Sequence, residues 1–204
     1  MKKIELLAPA GDRESFIAAL QNGADAIYLG GTLFSARANA KNFNDEDLQW
    51  AVSYAHLYGV KVYVTINTLY KDKEINALTF YVTKLYELQV DALIVQDIGL
   101  FDLIRTLYPD FEIHISTQAS VMNSYGTRYF EENGAHRVVL ARENTLEEIQ
   151  NICRQTNLEI EVFVHGAMCV CYSGQCLMSS MIGKRSGNRG QCAQPCRLQY
   201  QLLK

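Results

Sequence analysis

Short runs of β-branched and aliphatic residues alternate with stretches whose apolar positions recur every three to four residues, from the start of the chain to about position 165. A strand shows alternate side chains to each face and a surface helix buries one stripe, so this pattern predicts a βα rhythm. Strands are expected at 4–8, 26–30, 61–66, 92–95, 112–116, 137–141 and 159–164, and helices at 12–21, 45–58, 74–88, 100–107, 125–132 and 146–156. Three helices run into the next strand through a similar phrase: Asn22-Gly23-Ala24-Asp25-Ala26, Leu88-Gln89-Val90-Asp91-Ala92 and Asn133-Gly134-Ala135-His136-Arg137. Glycine suits the left-handed cap of a helix, so the repeat is architectural.

Alternating βα units build either a doubly wound sheet or a barrel. The first commonly has a glycine-rich phosphate turn after its first strand, and Ala8-Pro9-Ala10-Gly11-Asp12 is not G-x-G-x-x-G. A TIM-like (β/α) barrel is therefore expected, incomplete by one strand. Near residue 166 the rhythm stops. The chain divides into βα-barrel units at 1–166 and a Gly, Ser and Cys-rich segment at 167–204, whose residues 198–203 are the candidate eighth strand.

Alternation also says which side chains point into the barrel. Around Ile113 and Ile115 it turns His114, Ser116 and Gln118 inward; elsewhere it selects Lys61, Tyr63, Thr65 and Asn67, and Glu159, Glu161, Phe163 and His165. Barrel interiors are mostly apolar, so these polar groups either satisfy one another or meet a polar ligand. Asn67, Gln118, Arg142 and His165 fall at strand carboxyl ends, where barrel enzymes keep their chemistry. They are the candidate catalytic residues, Arg142 and His165 supplying the positive and donor groups that a small carboxylate co-substrate would need.

Five of the six cysteines fall between Cys169 and Cys196, and the first 152 residues hold none. A disulfide framework would spread them out, so the clustering points to metal or redox chemistry in a reducing compartment. Six residues separate Cys169 from Cys176, fifteen separate Cys176 from Cys192, and three separate Cys192 from Cys196, with Cys171 as a fifth candidate. Four thiolates suit zinc or an iron-sulfur cluster, and spacing leaves both open. Lys184, Arg185, Arg189 and Arg197 lie in the same segment. They suit either phosphate contacts or a solvated loop that offsets thiolate charge. Cys153 is expected as a small core residue, and His56 and His136 as ordinary surface or core residues.

Composition adds limits. With 49% hydrophobic and 20% charged residues in 204, the chain can bury a real core, while a net charge of -3 gives no general attraction to nucleic acid or anionic membrane. The N-terminal apolar run is broken by Glu5 and Pro9, so no signal peptide is expected, nor is any stretch long enough to span a membrane. A soluble, cytoplasmic protein is expected. Peptidase motifs are missing: there is no H-E-x-x-H, and Ser173 in Cys171-Tyr172-Ser173-Gly174 lacks the glycine that precedes the serine in G-x-S-x-G.

The run from Glu161-Val162-Phe163-Val164-His165-Gly166-Ala167-Met168-Cys169 through Val170-Cys171-Tyr172-Ser173-Gly174-Gln175-Cys176-Leu177-Met178-Ser179 resembles the signature of peptidase family U32. So do Leu7-Ala8-Pro9-Ala10-Gly11, Asp25-Ala26-Ile27-Tyr28-Leu29-Gly30-Gly31 and Gly190-Gln191-Cys192-Ala193-Gln194-Pro195-Cys196-Arg197. The resemblance implies a four-iron four-sulfur cluster on Cys169, Cys176, Cys192 and Cys196, with Cys171 as a non-ligand, and favours iron-sulfur over zinc. It implies hydroxylation chemistry: relatives modify the wobble uridine of tRNA with prephenate as co-substrate, a cytidine of ribosomal RNA, or the ubiquinone ring without oxygen. The expectation is an RNA-modifying enzyme acting on tRNA uridine. The alternatives are the collagenase-like protease that the family name records, with an activated cysteine and His165 as base, and a zinc-stapled binding module. Longer members of the family continue past the point matching Lys204, so the chain is expected to be part of a longer protein.

Overall fold

The computed structural model describes residues 3–36 and 41–201. Seven parallel strands lie in the order of the chain: β1 (Leu7–Ala10), β2 (Ala26–Gly30), β3 (Lys61–Ile66), β4 (Ala92–Val95), β5 (Glu112–Ile115), β6 (Arg137–Val139) and β7 (Glu159–Glu161). The helices between them are α1 (Arg13–Gln21), α2 (Asp45–Leu57), α3 (Ile75–Glu87), α4 (Ile98–Leu107), α5 (Ser124–Glu132) and α6 (Leu146–Cys153). A doubly wound sheet would reverse its strand order at a switch point, and this one never does.

The sheet curls. Glu5, just before β1, accepts a hydrogen bond of 2.6 Å from Arg137 Nη1 on β6, whereas five flat strand spacings of about 4.8 Å would hold those strands roughly 24 Å apart. The result is an open, half-closed barrel with helices outside. Val62, Val64, Leu93, Ile113, Ile115 and Val138 pack outward against the helices, while Ala26, Tyr63, Ala92 and Ile94 form a separate inner group.

The recurring phrase has a physical role. Gly23, Gly134 and Gln89 all have positive φ, and the amide just after each reaches back to its helix, Ala24 to Ala19, Ala135 to Phe130 and Val90 to Leu85. The following polar residue then caps the neighbouring strand: Asp25 accepts from the Leu6 amide, Asp91 from the Val62 amide and His136 Nδ1 from the Ile113 amide. Each phrase thus ends a helix and fixes a strand register.

Four expectations need correction. Strand β1 begins at Leu7 because Asp25 and Ala26 engage Leu6, leaving Ile4 exposed; Pro9 is tolerated on this edge strand. Strand β7 stops at Glu161, so Phe163 and His165 leave the inward alternation and stand exposed. Residues 198–201 pair with no strand, and 202–204, the rest of the candidate eighth strand, lie outside the described residues. The Cys-rich segment also holds a short helix that periodicity did not suggest, α7 (Met178–Gly183). Cys153, expected in the core, is exposed at the end of α6. No helix among the described residues is long and apolar enough to cross a membrane.

Candidate functional site

At the floor of the barrel, near the amino ends of the strands, the inward polar residues satisfy one another around an unforeseen cation. Arg137, buried on β6, donates to Glu5 Oε1 at 2.6 Å, to Glu159 Oε2 at 2.6 Å and to Glu161 Oε2 at 3.3 Å. Its guanidinium lies 5.4 Å from the Tyr63 ring, and Tyr63 donates to Glu5 Oε2 at 2.9 Å. Burial opposes the arginine charge, but the bonds to Glu5 and Glu159 outweigh it and raise its pKa. Burial raises the Glu161 carboxyl, with Arg137 opposing. Sequence reading did not single out Arg137; the structure places it in register with Glu159, one of the residues that alternation turns inward.

His114, fully buried, packs edge-on against Tyr63 at 4.6 Å and lies 2.8 Å from Glu112 Oε1 through Nε2. Burial lowers its pKa, Glu112 partly opposing, so the neutral ring donates from Nε2 and leaves Nδ1 without a partner among the described residues. Because its folded pKa is depressed, the unfolded chain binds more protons below about pH 6.5, and stability falls as pH drops through that value. Urea midpoints at pH 7.5 and 5.5 are expected to differ more for the wild type than for His114→Phe. Equal differences would contradict the assignment.

The mouth, at the carboxyl ends, is lined by short hydroxyls and amides. Ser35 and Thr65 hydroxyls are 3.0 Å apart; Asn67 accepts from the Ala36 amide at 3.1 Å and donates to Ser116 Oγ at 3.4 Å; Gln96 Nε2 donates to the Gln118 carbonyl at 3.2 Å. The Gln96 side-chain oxygen is buried with no partner among the described residues. Asn67 and Gln118 therefore stand at the same end of the barrel, but Gln118 does so from the short 3-10 turn Thr117–Ala119, because β5 stops at Ile115 and strand alternation ends there. Ring closure between them and His165 does not occur: the imidazole is exposed, with no hydrogen-bond partner among the described residues.

Arg142 meets peptide carbonyls. Its Nη1 donates to the Cys169 carbonyl at 2.6 Å, Nη2 to the Cys171 carbonyl at 3.0 Å and Nε to Ser173 Oγ at 3.1 Å. Glu143 Oε1 accepts from the Ser173 amide at 2.9 Å, and Ser120 Oγ donates to the Ser173 carbonyl at 2.5 Å. The loop that carries Cys169 and Cys176 is thereby seated on the ends of β5 and β6. Gly174 makes this approach possible: its φ is +71°, and a Cβ there would lie 1.9 Å from the Gln118 carbonyl oxygen. Glu143, Ser173 and Ser120 were not singled out from the sequence as parts of such a contact, because nothing local marks a serine that pairs with a loop thirty residues away.

A second anchor holds the other half of the segment. Arg189 donates to Glu74 Oε1 at 2.6 Å and to the Leu69 carbonyl at 2.8 Å; its bond to Glu74, with a second that Glu74 accepts from the Lys71 amide, lowers the pKa of the Glu74 carboxyl to about 2. Of the basic residues singled out in this segment, Arg189 is thus committed to a carboxylate, and Arg197 donates to the Met168 carbonyl at 3.3 Å.

These contacts bring the cysteine-bearing stretches onto one patch. The Arg197 side chain, next to Cys196, reaches the carbonyl of Met168, next to Cys169, and Gly187 lies against both the Cys192 Cβ and the Cys176 carbonyl. All four thiols are exposed or half-exposed, and the donor set is right in kind for a four-thiolate centre. Among the described residues, no three His, Cys, Asp or Glu side chains converge closely enough to hold a metal ion. Cys171 sits beside Cys176; burial and that neighbour raise its thiol pKa.

The sequence profile of peptidase family U32 matches residues 11–204. The chain belongs to that family. This U32 chain is 44% identical over 200 residues to the 23S rRNA 5-hydroxycytidine synthase of Escherichia coli, covering 98% of this chain and 30% of that protein. It is 41% identical over 201 residues to tRNA hydroxylation protein P of the same organism, covering 98% and 44%. A solved structure of a U32 peptidase aligns with a TM-score of 0.67 at 18% identity, over 78% of this chain and 68% of that one, which shows the shared fold. The U32 chain spans less than half the length of these two curated relatives.

Proposed function

We propose that this chain is the cluster-bearing part of a cytoplasmic enzyme that hydroxylates RNA, with a tRNA uridine as substrate at C5 and prephenate as co-substrate. Cys169, Cys176, Cys192 and Cys196 hold a four-iron four-sulfur cluster in this reading. The observation that carries it is identity of 41% and 44%, across 98% of the chain, to proteins named for hydroxylating tRNA and for making 5-hydroxycytidine in rRNA. The seat of the Cys169 loop supports it, because it lies over strand carboxyl ends, where barrel enzymes work. A bound cluster would supply electron transfer or an electrophilic site. The chain's own residues would hold that group beside the mouth, where the amides of Asn67, Gln96 and Gln118 would offer donors and acceptors to a base entering it. With a net charge of -3, RNA must meet local cations such as Lys184.

Mass spectrometry of nucleosides from cells lacking the gene tests the substrate. Loss of hydroxylated uridine from tRNA, repeated in cells unable to make prephenate, is expected. Loss of hydroxycytidine from rRNA alone would move the substrate to the ribosome, and no change in either would overturn RNA hydroxylation. Protein purified without oxygen is expected to carry about four irons and four sulfides per chain, lost in Cys169→Ser. Zinc in their place, or cleavage of gelatin that stops when Cys169 or His165 is replaced, would overturn the cluster reading.

A further inference from the structure

The contacts around Ser173 say more than that the loop touches the barrel. Ser173 lies four residues after Cys169 and three before Cys176, and is 1% exposed, although its neighbours Cys171 and Tyr172 are exposed. Every polar group it owns is engaged by the barrel. Its amide donates to Glu143, its carbonyl accepts from Ser120, and its hydroxyl accepts from both the Arg142 amide, at 3.2 Å, and the Arg142 Nε. The same guanidinium then spreads across the carbonyls of Cys169 and Cys171. A buried serine with a charged acceptor and a charged donor on its two sides is held by bonds worth more than neutral ones, and each partner would be left unsatisfied if it withdrew.

We propose that Ser173 is the positioning residue of the Cys169–Cys176 loop, locked to the mouth by Arg142, Glu143 and Ser120, so that the barrel itself sets where the two thiols stand. The lock uses protein groups alone, and it holds whether the thiols bind iron, zinc or nothing. Its failure is therefore separable from failure of the RNA-hydroxylation reading. Metal would be received by a loop already in place, with the ordering cost met on folding.

The test is amide hydrogen exchange on the full chain stripped of metal by chelation, compared with the same chain after anaerobic loading with iron and sulfide. In the stripped wild type, the Ser173 amide is expected to exchange at least tenfold more slowly than the exposed amide of Gly166. Ser173→Ala, which deletes the hydroxyl that Arg142 holds, is expected to weaken that protection while the Ile113 and His114 amides of β5 stay protected. Glu143→Ala removes the acceptor for the Ser173 amide and is expected to do the same; Glu143→Gln keeps a carbonyl oxygen there and is expected to restore protection. After loading, Ser173→Ala is expected to change the absorption and electron paramagnetic spectra at equal iron content. Should Ser173→Ala expose β5 as well, Ser120→Ala, which deletes one bond from the barrel side, carries the same comparison. Protection at Ser173 that appears only after loading would overturn the proposal, as would protection undiminished in both Ser173→Ala and Ser120→Ala.

Discussion

Arg137→Met is expected to lower the unfolding free energy by about 3 kcal/mol, read as a fall in the urea midpoint at constant slope. Arg137 is 5% exposed and is the shared donor for Glu5, Glu159 and Glu161. Methionine keeps most of the volume but leaves carboxylates facing one another in the barrel floor, and Glu161 is already raised by burial. Breaking a buried ion pair from one side costs several kcal/mol because the remaining charge is uncompensated. The expected loss sits at the low end because Glu159 is partly solvated. Adding Glu161→Gln is expected to recover part of it by removing one stranded charge. A loss below 0.5 kcal/mol, or no recovery in the double variant, would show that water already screens these groups.

Gly174→Ala is expected to release the cysteine loop while leaving the barrel folded. Two independent obstacles act at this one position. An L-residue at φ +71° costs about 1 kcal/mol in backbone strain. The added Cβ would also meet the Gln118 carbonyl at 1.9 Å, a backbone atom fixed at the end of β5 that cannot swing aside. The loop must rise by more than an ångström, which breaks the 2.5 Å bond from Ser120 to the Ser173 carbonyl. Limited proteolysis is expected to cut near 170–176 at least tenfold faster than in the wild type, with the thermal midpoint of the barrel nearly unchanged. A loop that stays resistant would mean that the close approach at Gly174 is not needed for docking.

Much of the βα scaffold was legible in the sequence, because strand and helix periods are local. Strands β2, β3 and β4 fall where alternation puts them, and the phrases at Gly23, Gln89 and Gly134 do end their helices. The inward set was legible for the same reason, since Tyr63, His114, Glu159 and Glu161 do meet inside. Periodicity failed where the regular backbone stopped. Phe163 and His165 continue the alternation on paper, but β7 ends at Glu161, and past that point no pleat tells a side chain which way to face.

The sequence by itself determined that the chain is a run of βα units, that five of its six cysteines fall between Cys169 and Cys196, and which family it belongs to, because period, spacing and motif are properties of neighbouring residues. Only the tertiary structure decided what the polar residues do. Arg142, read from its position as a group for a substrate carboxylate, grips the carbonyls of Cys169 and Cys171; Arg137, unremarked at a strand start, holds the barrel floor; Ser173, unlike any known nucleophile in its local motif, is the pin between two thiols. Each of these roles rests on partners from 22 to 132 residues away, and such pairings come into being only when the sheet curls and brings the strand ends together.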